Sequence, residues 1–107
     1  MDVDNAIEQI NSVFDLELRC HTVAAPVQVL GTIDGYALFF RSRWSFWYFA
    51  LAEHEDDAVS QENCKFIKTG STDGEYDASW LAGEELREIL SQCISEFRLK
   101  VNDLEEN

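Results

Sequence analysis

Asp34-Gly35, set between the apolar-rich runs Val27–Ile33 and Tyr36–Arg41, constrains this chain more than any other short stretch. A two-residue hairpin loop of type I′ needs positive φ at both central positions, and Asp-Gly meets that need. The pair therefore predicts a β-hairpin. Ser42-Arg43-Trp44 offers a second tight connection into a third strand over 45–52, and 64–68 reads as a short fourth strand. Lys65 and Lys68 suit a solvent-exposed edge, so the sheet is expected to be an antiparallel meander.

Helical periodicity brackets the strands. Ile7, Ile10, Val13 and Phe14 recur on one stripe, with Asp4 as the expected cap and an end near Asp15 to Leu18. Toward the C-terminus, Leu86, Ile89, Leu90, Cys93, Ile94, Phe97 and Val101 keep a 3.6-residue period. That helix is expected to start between Ser79 and Glu84, with Asp77-Ala78-Ser79-Trp80 offering caps. Glu84 and Glu85 at its start and Arg98 and Lys100 at its expected end would match the helix dipole. The predicted class is α+β, one domain over 1–107, in the order α-β-β-β-β-α with two flanking helices. The ends, about 1–3 and 102–107, are expected to fray. Residues 53–63 are expected to form a mobile acidic loop, and Thr69 to Tyr76 a second loop.

Charge limits the partners. The net charge is -13 over 107 residues; residues 1–50 contribute -3 and residues 51–107 contribute -10. Phosphates would be repelled, so nucleic acid is disfavoured and basic protein surfaces, including those that normally hold nucleic acid, are favoured. Hydrophobic residues at 46% place the charge on a folded body rather than on a disordered acidic tail. The acidic start lacks the basic region of a signal peptide, and no apolar run approaches a membrane span, so a cytoplasmic protein without membrane contact is expected. Cys20, Cys64 and Cys93 fit neither a disulfide framework nor a zinc ribbon and are expected as free thiols.

Aromatic residues crowd the second and third strands. Alternation sends Phe46, Tyr48 and Ala50 to one side and Trp47, Phe49 and Leu51 to the other, so both faces are apolar. Core is the first reading of these rings. Helices on one face alone would leave an aromatic patch, with Tyr36, Trp44, Trp47 and Tyr48 as candidate interface residues. Alternatively the helices divide between the faces, or the sheet curls around its own side chains. Rings beside Arg41 and Arg43 resemble the stacking platforms of RNA-recognition-motif domains, but the basic-Gly-aromatic-Gly signature is absent and the net charge has the wrong sign.

No catalytic motif stands out. Glu53-His54-Glu55-Asp56-Asp57 combines carboxylates with an imidazole, yet matches no ligand spacing and reads as a solvated loop. Thr72 to Asp77 falls short of a calcium loop. Cys20-His21 are neighbours in an extended segment and point apart, which precludes an activated thiolate pair. No cofactor or metal is expected, and an enzyme built on His54 and its neighbours is the weakest of the readings.

These properties together resemble, as a class, the small inhibitors encoded by phages and mobile elements, such as anti-CRISPR and anti-restriction proteins. The leading expectation is a non-enzymatic inhibitor that offers acids to a basic, nucleic-acid-handling protein: Glu53, Glu55, Asp56, Asp57 and Glu62 from the loop, with Glu84, Glu85, Glu88 and Glu96 from the last helix. Glu84, Glu88 and Glu96 share one i, i+4 row that could imitate a line of phosphates. Trp80, Tyr76 or a sheet aromatic would anchor the contact. The alternative is an immunity protein or adaptor that binds a partner, or forms a homodimer, through the aromatic sheet face.

Overall fold

The computed structural model describes residues 2–23, 27–43, 45–72 and 83–106, the side chains of 23 and 102–106 excepted. Its organising turn is the expected one. Asp34 (φ 51°) and Gly35 (φ 87°) both lie at positive φ, and Ile33 pairs directly with Tyr36 across them. The hairpin joins β2 (Val27–Ile33) to β3 (Tyr36–Arg43). β1 (Arg19–Val23), β4 (Phe46–Ala52) and β5 (Cys64–Ser71) complete a sheet whose spatial order follows the chain, with every neighbouring pair antiparallel. The helices are α1 (Val3–Phe14), α2 (Glu55–Ser60) and α3 (Gly83–Glu106). The α+β class and the antiparallel meander are as expected.

Two elements enlarge the expected order to α-β-β-β-β-α-β-α. β1 carries no clear alternation, and its pairing with β2 is irregular between Cys20 and Thr22, so partnership rather than local pattern holds it in the sheet. α2 occupies the stretch expected as a loop. Glu55, Asp56 and Asp57 sit in its first turn, where the dipole favours acids, and Gln61 ends it in the left-handed conformation (φ 61°). Ala58 is its one buried residue.

Alternation gives the sheet two different sides. On the first, Val27, Val29, Leu38, Phe40, Trp47, Phe49 and Leu51 join Ile7 and Ile10 of α1 and Leu86, Leu90, Cys93, Ile94 and Phe97 of α3 in one core. On the second, Leu30, Phe39, Ala50 and Ala52 cluster with Ala58 of α2. Phe40 and Phe49 pair across β3 and β4 and are both fully buried; truncating either would cost about 3–5 kcal/mol.

Helix ends depart from the sequence reading in detail. Asp2 caps α1 instead of Asp4, because Val3 is already buried and helical; the Asp2 side chain accepts a hydrogen bond from the Asn5 N–H at 2.8 Å. α3 runs on to Glu106, so Arg98 and Lys100 do not reach its last turn. Arg98 instead pairs with Asp34 of the hairpin at 3.2 Å and lies over the Phe14 ring. Lys68 faces α3 rather than open solvent, and bonds Glu96 at 2.6 Å. Contacts at 9–87 and 14–98 show α1 and α3 running in the same direction.

Asn11 closes the link from α1 into the sheet. Its side chain donates to the Leu18 carbonyl at 2.9 Å and accepts from the Leu18 N–H at 2.8 Å. Leu18 in turn lies against Gly31, where an added Cβ would stand 2.5 Å from the Glu17 carbonyl oxygen. Asn11→Ala orphans both Leu18 backbone groups and should cost about 1–3 kcal/mol, read as a lower urea midpoint at unchanged slope. Gly31→Ala should destabilise by a similar amount, about 1–3 kcal/mol, because backbone has to move. Wild-type midpoints for both variants would contradict this account of the joint.

Candidate functional site

The sheet separates the candidate acidic residues into two groups. Glu53, Glu55, Asp56 and Glu62 are exposed on or beside α2, with Asp57 half-buried, and α2 packs on the second side of β3 and β4. Glu84, Glu85 and Glu88 are exposed on α3, across the sheet. The expected row along α3 is also interrupted, since Glu96 is half-buried and neutralised by Lys68. The structure thus brings together Glu53, Glu55, Asp56, Asp57 and Glu62 as one set, and Glu84, Glu85 and Glu88 as another.

The helix layer has a groove of its own. A depression of about 430 Å³ between α1 and α3 is lined by Gln9, Ile10, Val13, Phe14, Arg87, Glu88 and Ser91. Arg87 donates to the Gln9 side-chain oxygen at 3.1 Å, and Val13 is 75% exposed. Gln9 also borders a shallower depression that includes Glu8. Carboxylates therefore flank an apolar spot on this layer.

The candidate aromatics divide by strand parity. Tyr36 packs edge-on against Phe97, with ring centres 5.9 Å apart, and Trp47 is buried beside Phe40; both belong to the core under α1 and α3. Trp44 lies outside the described residues, as do Tyr76, Trp80 and the expected caps 77–80. Of the three that are described, Tyr48 alone reaches the second side, half-buried against Phe39. Phe46, not singled out from sequence, is 65% exposed there. It shares parity with Tyr48, but only the position of α2 reveals which part of that side stays open. A groove of about 490 Å³ at this end is lined by Arg41, Arg43, Phe46, Trp47, Tyr48, Gln61 and Thr69.

The Cys20 S–H donates to the Thr22 carbonyl at 3.0 Å, and partial burial followed by the nearby Asp4 charge raises its pKa, the wrong direction for a thiolate nucleophile. Burial and then Asp57 raise that of Cys64. All three cysteines are free thiols. His54 is exposed at the start of α2 and its side chain makes no capping bond. Among the described residues, no group of three or more His, Cys, Asp or Glu is arranged to hold a metal ion, and no helix is long and apolar enough to cross a membrane. Comparison with family models, curated proteins and solved structures returned no match.

Cys93 provides a pH test of the core. Burial pushes its thiol from 9.0 up to about 12, with Lys68 opposing and Glu96 reinforcing the shift. As pH rises through this window the unfolded chain loses the thiol proton first, so the folded state binds more protons and stability must fall. The expected slope reaches up to about 1.4 kcal/mol per pH unit. Urea midpoints compared at about pH 8.5 and about pH 10.5 should drop less in Cys93→Ala than in wild type; equal drops would contradict the assignment.

Proposed function

We propose that the protein is a non-enzymatic binding module that engages a basic surface of another protein, of the kind that handles nucleic acid, and blocks it. The observation that carries this reading is the arrangement on the helix layer. Glu84, Glu85 and Glu88 are exposed on α3 beside the α1–α3 groove, where Val13 offers an apolar contact. Carboxylates would steer and select a cationic partner, while affinity would come from apolar burial in the groove. α2 offers a second acidic patch across the sheet, so one flat basic surface would meet one patch or the other. Inhibitors of the anti-CRISPR or anti-restriction kind, acting in the cytoplasm, would work in this way. A second reading, an adaptor or immunity protein that uses the sheet face or dimerises through it, is favoured by the exposure of Phe46.

The test is capture on the tagged chain from native-host lysate, eluted by a salt gradient. A basic, nucleic-acid-handling partner should elute at moderate salt, because exposed charges lose reach as the Debye length shrinks below about 8 Å. Combined Glu84→Gln, Glu85→Gln and Glu88→Gln should weaken binding by about tenfold or more. Combined Glu53→Gln, Glu55→Gln and Asp56→Asn should leave it unchanged. Salt-resistant binding, or full binding with both sets neutralised, would overturn the proposal.

A further inference from the structure

The open end of the second sheet face is chemically unlike the rest of this protein. In a chain of net charge -13, Arg41 and Arg43 project to the same side of β3, two residues apart, and each is paired across the ladder with an aromatic ring. Arg41 stands opposite Tyr48 and Arg43 opposite Phe46. The Arg41 row is flanked by Gln28 on β2 and Thr69 on β5, so one line across four strands reads amide, guanidinium, phenol, hydroxyl. Tyr48 is held by its contact with Phe39, ring centres 5.7 Å apart, which fixes one wall.

Arg41 is incompletely satisfied. Its Nε is buried and has no hydrogen-bond partner, and among the described residues it forms no ion pair. A guanidinium packed against a sheet with an orphaned N–H is costly unless an acceptor comes from elsewhere. Its planar fork matches phosphate or carboxylate oxygens, and the neighbouring ring faces accept a flat partner. At about 490 Å³ the groove has the capacity of a small-molecule site, apolar with a few polar groups. From these features we infer that it binds a small organic anion joining a flat ring to one phosphate or carboxylate, a nucleoside monophosphate being the phosphate member of that class.

Electrostatics separates this occupant from a nucleic-acid strand. Gln61 borders the groove and follows directly on α2, whose acids Glu55 and Asp56 are exposed, with Glu53 and Glu62 just outside the helix. A strand crossing the face would carry further phosphates over those carboxylates. A ligand with a single anionic group keeps its charge beside the arginines. The Gln61 and Thr69 side chains supply hydrogen bonds for a polar ring edge. This site lies across the sheet from the α1–α3 groove, so it stands or falls independently of the proposed protein contact.

The test is amide chemical-shift titration of the full chain with adenosine monophosphate and indole-3-acetate as ring-anion probes. Adenosine and inorganic phosphate serve as the separated parts, and an octathymidylate as the polyanion. At least one ring anion should shift the amides of 41, 43, 46, 48, 61 and 69 and saturate; preference between the two identifies phosphate or carboxylate as the anion. The separated parts should bind more weakly by about tenfold or more. Arg41→Met, which also removes the orphaned donor, should abolish saturation while keeping wild-type thermal stability or better. Phe46→Ala, at an exposed ring, should weaken binding with the fold intact. The inference is overturned by an absence of shifts with both ring anions, by tighter binding of the octathymidylate, by shifts confined to other residues, or by unchanged binding in both variants.

Discussion

The structure depends on the pairing of β3 with β4, the two strands whose residues are apolar on both sides. Antiparallel register places Phe40 against Phe49 and Leu38 against Leu51 on one side, and Phe39 against Ala50 on the other. Neither side can be left wet without a large hydrophobic penalty, so both need cover. They receive it unequally. The first side carries large side chains and takes the long helices α1 and α3; the second carries Ala50 and Ala52, over which the six-residue α2 packs through Ala58.

That inequality distributes the remaining surface. Because α2 is short, the second side is covered at one end and open at the other, where Phe46, Tyr48, Arg41 and Arg43 remain. Because the candidate acids lie on or beside helices on opposite sides, they form two surfaces with a sheet between them. The candidate acids are thus divided by the sheet, and Arg41 and Arg43 lie on the open half of its second side.

Legibility in the sequence followed the range of the interaction that fixes each feature. Asp34-Gly35, the α3 stripe and the parity of β4 are local patterns, and each appears in the structure as its period demands. β1 and α2 escaped because their placement is tertiary: β1 is stabilised by β2, and α2 by a single buried alanine with a left-handed Gln61 at its end. Parity separated Trp47 from Tyr48 correctly but could not say which side the long helices would cover. The candidate aromatic set therefore mixed core rings, Tyr36 and Trp47, with the groove ring Tyr48, and omitted Phe46. The capture of Glu96 by Lys68, 28 residues away, was likewise beyond any local pattern.

Half-coverage of the second sheet face is the claim that sets the two sides of the sheet apart and leaves the arginine groove open, and hydroxyl-radical footprinting of the dilute protein tests it most directly. Phe46 and Phe39 lie on the same face, one 65% exposed and the other 5% exposed, while Phe49 is fully buried on the opposite face. The account predicts rapid oxidation of Phe46, with Phe39 and Phe49 both protected. Protection of Phe46 to the level of Phe39 would mean that the open end is covered, and would contradict it.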